Sequence, residues 1–243
     1  EAGASISNIS DILSASDIIL SLNSNDPDII NKITKGKTLI TNIPLNLNKE
    51  FANNASKEHV TLINLGTIPR IARAQSMDIL SSQSSLAGYK ATLFAAQLLG
   101  KIFPMMMTAA GTIPPAHGLI LGAGVAGLQA IATSRRLGAV VSAYDVRPVV
   151  KEQVESLGAK FLQLDFGEQN LEDSGGYAKE VTQDMKAKED ALVHENVALA
   201  DYVITTALIP GRPAPLLVNK AMVSSMKPGS VIIDMAAEMG GNC

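Results

Sequence analysis

Gly122-Ala123-Gly124-Val125-Ala126-Gly127 decides the fold of this chain. It follows the apolar run His117-Gly118-Leu119-Ile120-Leu121 and opens a long helical pattern. Asp145 stands 23 positions after Gly122, at the end of a second apolar run. Strand, glycine turn, helix, strand and acid, in that order, describe a dinucleotide-binding unit.

Each glycine has its own task. Gly122 permits the tight turn off the strand, Gly124 lets the backbone approach a pyrophosphate, and Gly127 lets the helix pack closely on the sheet. The helix starting near Val125 would point free N–H groups and its positive dipole end at the phosphates. Asp145 would accept hydrogen bonds from the adenosine ribose hydroxyls. A carboxylate there disfavours a 2′-phosphate and so favours NAD over NADP. Arg147 is the contrary feature, because an arginine just past the acid can pair with a 2′-phosphate.

In a chain with 19 glycines the spacing alone is a weak signal. Its surroundings strengthen it. Residues 119–121 read as a buried parallel strand, and Leu128, Ile131, Ala132 and Leu137 recur at near-helical spacing. Arg135 and Arg136 suit a helix C-terminus, Gly138 stops the helix, and 139–144 reads as the next strand.

The chain has 243 residues, enough for one or two domains with a substantial core. Hydrophobic residues are 47% and charged residues 18%, a globular balance. A formal net charge of −3 gives no electrostatic reason to expect nucleic acid as a partner. The single cysteine, Cys243, can form no internal disulfide. That thiol and three scattered histidines (His59, His117, His194) point to no metal site. The most apolar stretch, 93–113, is broken by Lys101 and Pro104 and reads as a buried helix and then a loop, not a membrane span. Within it, Met105-Met106-Met107 reads as core filler. Glu1 is no start methionine, and Cys243 follows a Gly-Gly turn with no closing helix, so the chain reads as a fragment of a longer one.

The remainder alternates strand and helix. Strands are expected at 17–22, 37–43 and 59–65, with helices at 27–34 and 49–55. This region carries no glycine fingerprint and reads as a partner domain over 1–69. A polar stretch at 69–85 follows, then a long connecting helix at 86–102, with Leu86, Tyr89, Leu93, Ala96 and Leu99 near one face. After Asp145 come a helix at 149–157, a strand at 160–164, a helix at 186–199, a strand at 202–206, a short helix at 219–226 and a last strand at 230–234. The polar segment 165–178 is long for a plain connection and reads equally as a mobile lid or a surface insert. The expected fold class is α/β: two Rossmann-like, doubly wound parallel-sheet domains separated by a cleft, the first truncated, the second over 70–243 with a cleft loop at 70–83.

Pro69-Arg70-Ile71-Ala72-Arg73-Ala74-Gln75-Ser76-Met77-Asp78-Ile79-Leu80-Ser81-Ser82-Gln83 carries a more specific resemblance. So do the glycine turn with Leu128-Gln129-Ala130, the run Asp145-Val146-Arg147-Pro148, residues 206–215, and Ala236-Ala237-Glu238. Together they resemble the NAD(H)-binding domain of the proton-translocating NAD(P) transhydrogenases, most distinctively from about residue 68 onward. That family grips its nicotinamide with an arginine–glutamine–aspartate loop. The resemblance implies that Arg70, Asp78 and Ser81 hold the carboxamide and ribose end of NAD(H), with Ile71 and Ala72 beside them. It implies that Gln75 faces NADP(H) carried on a partner domain. Val125, Asp145, Val146, Arg147 and Gly176 would line the adenosine and pyrophosphate half. Tyr177 falls in the family's mobile loop, which tips the segment 165–178 toward a lid. The resemblance also implies a homodimer and a complex with an NADP(H)-binding and a transmembrane domain. The chain would then be a soluble domain peripheral to a mitochondrial inner, other organelle or bacterial cytoplasmic membrane.

The residue types agree with that chemistry. Hydride passing directly between two nicotinamides moves no proton at the reacting carbons, so the site needs position and electrostatics rather than a general acid or base. The loop 70–83 holds Arg, Gln, Asp and Ser but no His or Lys. The lesser reading of Arg70 and Asp78, eight residues apart, is a structural ion pair at a helix start. Two alternatives stay open. One is alanine dehydrogenase, a relative that uses a catalytic histidine and lysine. The other is a non-catalytic NAD-binding module.

Overall fold

The structure, a computed structural model, describes residues 2–22, 32–43, 49–69, 71–163, 183–209 and 212–243. The chain divides into two compact units, Glu1–Leu80 and Ser81–Cys243.

The first unit holds α1 (Ile9–Ala15), β1 (Ile18–Ser21), β2 (Thr38–Thr41), α2 (Lys49–Lys57) and β3 (Thr61–Asn64). The three strands form a parallel sheet in the order β1-β2-β3. Ile19 and Leu39 of the sheet, and Ile43 just past β2, bury with Leu13 of α1 and Phe51 and Ala55 of α2. Helix α1 was not legible as a helix from the periodicity; its signal is Asn8, whose side chain accepts from the Asp11 amide as an N-cap. The helix expected at 27–34 lies largely outside the described residues. The described strands of this unit run in sequence order, with no reversal between neighbours and hence no topological switch point.

The second unit contains most of α3 (Ile79–Leu98), then β4 (Met106–Thr108), β5 (Gly111–Ile113), β6 (His117–Leu121), α4 (Val125–Arg136), β7 (Val140–Tyr144), α5 (Lys151–Ser156), β8 (Lys160–Leu162), α6 (Gln183–Leu199), β9 (Tyr202–Thr205), α7 (Lys220–Ser225) and β10 (Val231–Asp234). Five strands form one parallel sheet in the order β10-β9-β6-β7-β8. Successive side chains of a strand face opposite ways. Accordingly Ile120 joins the core under α3, α4 and α5, with Ala91, Ala95, Ile131 and Val154. Leu119 and Leu121 join the opposite core under α6 and α7, with Val193, Val197 and Met222. Burial on both faces is why these strands read as unbroken apolar runs.

Three expectations need correction. The connecting helix runs 79–98, not 86–102. The serine-rich start at 79–85 looked like loop because Ser favours turns; Asp78, directly before Ile79 with ψ of 90°, is the favoured residue type at an N-cap position and was the overlooked signal. Likewise the expected cleft loop 70–83 is not a plain loop: Ala72–Met77 forms a 3₁₀ helix and the α-helix follows at once. Finally, the expected loop at 105–113 is not irregular. It folds into the antiparallel hairpin β4–β5, in which Met107 opposes Thr112. Met105 and Met107 are exposed (60% and 74%), so these methionines are not core filler.

Candidate functional site

The strand order reverses between β6 and β9: successive strands run outward from β6 through β7 to β8, then return to β9 on its other side. In an open parallel sheet the crevice at the carboxyl ends of two such strands is where ligands bind. The glycine turn leaves β6 at that point, and Thr206 leaves β9 beside it. Leu121 and Thr205 are paired neighbours across the sheet.

Gly122 has φ of +96°, a conformation that side chains other than glycine rarely adopt. A Cβ there would also lie 2.6 Å from Thr206 Oγ1. Gly127 is excluded from carrying a side chain for another reason: its Cβ would overlap the Gly122 carbonyl oxygen. Gly124 differs from both. Its φ of −76° and ψ of −168° suit any residue, and nothing lies within 4 Å of the place a Cβ would take. The space over Gly124 is therefore a backbone-floored cradle that a side chain would fill. Gly124 is also the N-cap of α4 and supplies no side chain to cap it, so the first-turn amides are left for an anion. Val125 follows as an exposed residue at the helix start. The residues present thus fit a pyrophosphate.

Asp145 closes the second side. Its Oδ2 accepts the Ala123 amide at 2.7 Å, tying the end of β7 to the glycine turn. Its Oδ1 accepts the Arg147 amide at 2.9 Å. The Arg147 guanidinium lies across the same carboxylate, with Nε 2.9 Å from Oδ1 and Nη2 2.9 Å from Oδ2. Val146 sits between them, half-buried against the α6 side of the core. Tyr144, just before the acid, is buried; burial first, and then the nearby Glu189 of α6, push its phenol up and keep it neutral.

The reading from sequence missed the third side. Thr206 Oγ1 donates to the Gly122 carbonyl at 3.0 Å. The strand-end loop after it is held by Asn242, which is fully buried. The Asn242 side chain accepts the Ala207 amide at 3.0 Å and donates to the carbonyls of Ala207 at 2.9 Å and Pro215 at 2.8 Å. Asp234, at the end of β10, in turn accepts the Thr205 hydroxyl and the backbone amides of Ala236, Asn242 and Cys243. Thr206 lies in the stretch 206–215 that carries the family resemblance, but its bond to Gly122 and the supports from Asn242 and Asp234 join segments far apart in sequence and leave no periodicity.

Gly122, Gly124, Val125, Gly127, Asp145, Val146 and Arg147 are thus gathered at one end of one sheet. Ile71, Ala72, Gln75 and Asp78 belong to the first unit, with Ile71, Ala72 and Gln75 exposed on or beside the 3₁₀ helix and Asp78 half-buried. Ser81 lies in the first turn of α3. Arg70, Gly176 and Tyr177, with the expected lid, lie outside the described residues. At the opposite end of the large sheet, Asp201 forms a separate structural cluster, bonded by Lys101, Lys227 and the His117 amide at 2.8 to 2.9 Å.

A parallel sheet in this order, with a glycine turn at its switch point, defines a Rossmann-type domain. Residues 91–243 match the alanine dehydrogenase/PNT C-terminal domain, and residues 1–87 match the N-terminal domain. The chain belongs to the alanine dehydrogenase/pyridine nucleotide transhydrogenase family. It is 52% identical over 217 residues to a Rhodospirillum rubrum protein named as the first portion of NAD(P) transhydrogenase subunit alpha, a span covering 89% of this chain and 56% of the relative. The crystal structure of transhydrogenase from Sinorhizobium meliloti superimposes with a TM-score of 0.82 at 47% identity, covering 99% of this chain and 64% of that one. An L-alanine dehydrogenase structure is further off, at a TM-score of 0.72 and 25% identity over 98% of this chain and 60% of that one. The chain spans about half the length of the curated relatives it matches. Among the described residues, no helix is long and apolar enough to cross a membrane.

Proposed function

We propose that this chain is the NAD(H)-binding portion of a proton-translocating transhydrogenase and passes hydride between NADH and NADP⁺ held on a separate domain. The observation that carries the nucleotide reading is the open cradle at Gly124, flanked by an uncapped helix N-terminus and by Asp145. The identity to relatives named NAD(P) transhydrogenase favours this activity over that of alanine dehydrogenase.

The bound nicotinamide supplies the hydride chemistry; the chain's own residues bind and orient. Gly122, Gly124, Val125 and Gly127 shape the pyrophosphate floor. Asp145, Val146 and Arg147 line the adenosine end. Arg70, Ile71, Ala72, Asp78 and Ser81 hold the nicotinamide end, Gln75 faces the NADP(H) side, and Gly176 and Tyr177 belong to a covering loop. Those nicotinamide and loop roles rest on the resemblance of 69–83 and of the segment around Tyr177 to the family. The same reading makes the parent complex membrane-associated and this portion a homodimer.

The test combines the full-length protein with NADH and an oxidised NADP⁺ analogue of shifted absorbance, and then with L-alanine and NAD⁺ alone. Hydride transfer to the analogue is expected, with no turnover of alanine. Alanine oxidation at comparable rates would sink the transhydrogenase reading in favour of its relative. NADH binding without either reaction would leave a binding module.

A further inference from the structure

An ionised carboxylate offers about four in-plane acceptor positions. At Asp145 all four are filled: Oδ1 by the amide and Nε of Arg147, Oδ2 by the Ala123 amide and Nη2 of Arg147. Nothing is left for a ribose. The two backbone bonds define the turn and the strand end and cannot leave without reshaping both. The two guanidinium bonds can leave by rotation of one side chain.

We propose that Arg147 is a built-in competitor for the ribose: the nucleotide's hydroxyls reach Asp145 only as the guanidinium releases it. This rests on the nucleotide reading above. The side chains of the pair are only 16% and 7% exposed, so the bidentate contact is more than a solvent-screened surface ion pair. Neutral hydroxyls are weaker donors to a carboxylate than a guanidinium. At Asp145 itself the exchange is therefore uphill, and contacts elsewhere on the nucleotide supply the difference. The arrangement also tempers selectivity. Asp145 alone repels a 2′-phosphate, whereas the released arginine stays within two residues of it as a cation that such a phosphate attracts. Arg147 thus lowers affinity for NADH and narrows the gap to NADPH.

The experiment titrates the full-length protein with NADH and NADPH, read by nucleotide fluorescence, for wild type, Arg147→Met, Arg147→Gln, Asp145→Asn and Asp145→Asn/Arg147→Met. Thermal unfolding checks each fold. Both Arg147 variants are expected to bind NADH about tenfold tighter than wild type, the scale of one charge-assisted hydrogen bond no longer forgone. NADPH binding should not tighten, and the NADH gain should vanish in the Asp145→Asn background. Folded Arg147 variants that bind NADH no better than wild type overturn the proposal, as does a gain that persists without the carboxylate. Wild-type protein that binds no NADH overturns the nucleotide reading itself, and this inference with it.

Discussion

The hydroxyl of Thr206 donates to the carbonyl of Gly122 at 3.0 Å and also approaches that of Leu121 at 3.4 Å, joining the two strand ends where the sheet reverses direction. A Cβ on Gly122 would lie 2.6 Å from that same oxygen, so the contact that fixes the turn also excludes a side chain from it. Thr206→Ala should cost about 1–2 kcal/mol from the lost hydrogen bond and methyl group. Gly122→Ala should cost more, about 2–3 kcal/mol, because strain at positive φ adds to the clash. Urea unfolding of Thr206→Ala, Gly122→Ala and the double variant measures the coupling. Removing the hydroxyl should recover some of the Gly122→Ala loss and leave the φ strain. Strictly additive effects would mean that the two residues do not constrain each other.

Gly124 separates folding from binding. Its backbone angles are ordinary and its Cβ direction is open. Gly124→Val should therefore cost no more than about 1 kcal/mol, the scale of placing a disfavoured residue at an N-cap. The same side chain would occupy the phosphate cradle, so NADH affinity should fall by about tenfold or more. Calorimetric melting and a fluorescence titration on one preparation decide it. Full affinity in a folded variant would take the pyrophosphate away from Gly124.

What could be read in advance follows from how local each constraint is. The turn, α4 and Asp145 form one continuous supersecondary unit, so the glycine spacing together with the flanking apolar runs revealed them. The dual burial of β6 was equally plain in its unbroken apolar run. Thr206, Asp234 and Asn242 come from segments far from the turn in sequence, and no periodicity marks a residue whose task is to bond a remote backbone group. The start of α3 was hidden for a different reason: Ser81, Ser82, Ser84 and Ser85 weigh against a helix, yet buried Gly88, Ala91, Thr92 and Ala95 pack one side of it tightly enough to override that preference. Gly88 approaches so closely that a Cβ there would overlap the Ala126 carbonyl of α4.

Asp201 predicts the acid limit of the large sheet. Burial alone would raise its carboxyl, but hydrogen bonds from Lys101, Lys227 and the His117 amide outweigh this and hold it at about 2, below the ordinary 3.8. A depressed folded-state value contributes stability that is fully present above the unfolded value and is lost as pH falls through the folded one. Thermal midpoints should therefore decline between about pH 4 and pH 2. Asp201→Asn should flatten that decline and lower stability at pH 7 by about 1–2 kcal/mol, since two lysines lose their partner. A variant with the wild-type acid profile would remove Asp201 as its source.

The outer side of α3 bears on the proposed homodimer. Its buried side is built of small residues, while Leu86, Tyr89, Phe94 and Leu98 lie exposed, and Met105 and Met107 are exposed at the start of the hairpin. Lys90 Nζ stands 4.7 Å above the Phe94 ring. A helix apolar around most of its circumference is ordinarily covered on more than one side, and an exposed apolar patch of this kind marks an interaction surface. A second copy is the occupant that the family resemblance implies. Sedimentation velocity across a concentration series should then show a dimer for wild type and a monomer for Leu98→Glu/Met107→Lys, with NADH affinity retained because neither position belongs to the glycine turn or to 145–147. A wild type that stays monomeric at high concentration rules out self-association of this chain. A dimer that survives the double substitution moves its interface to another face.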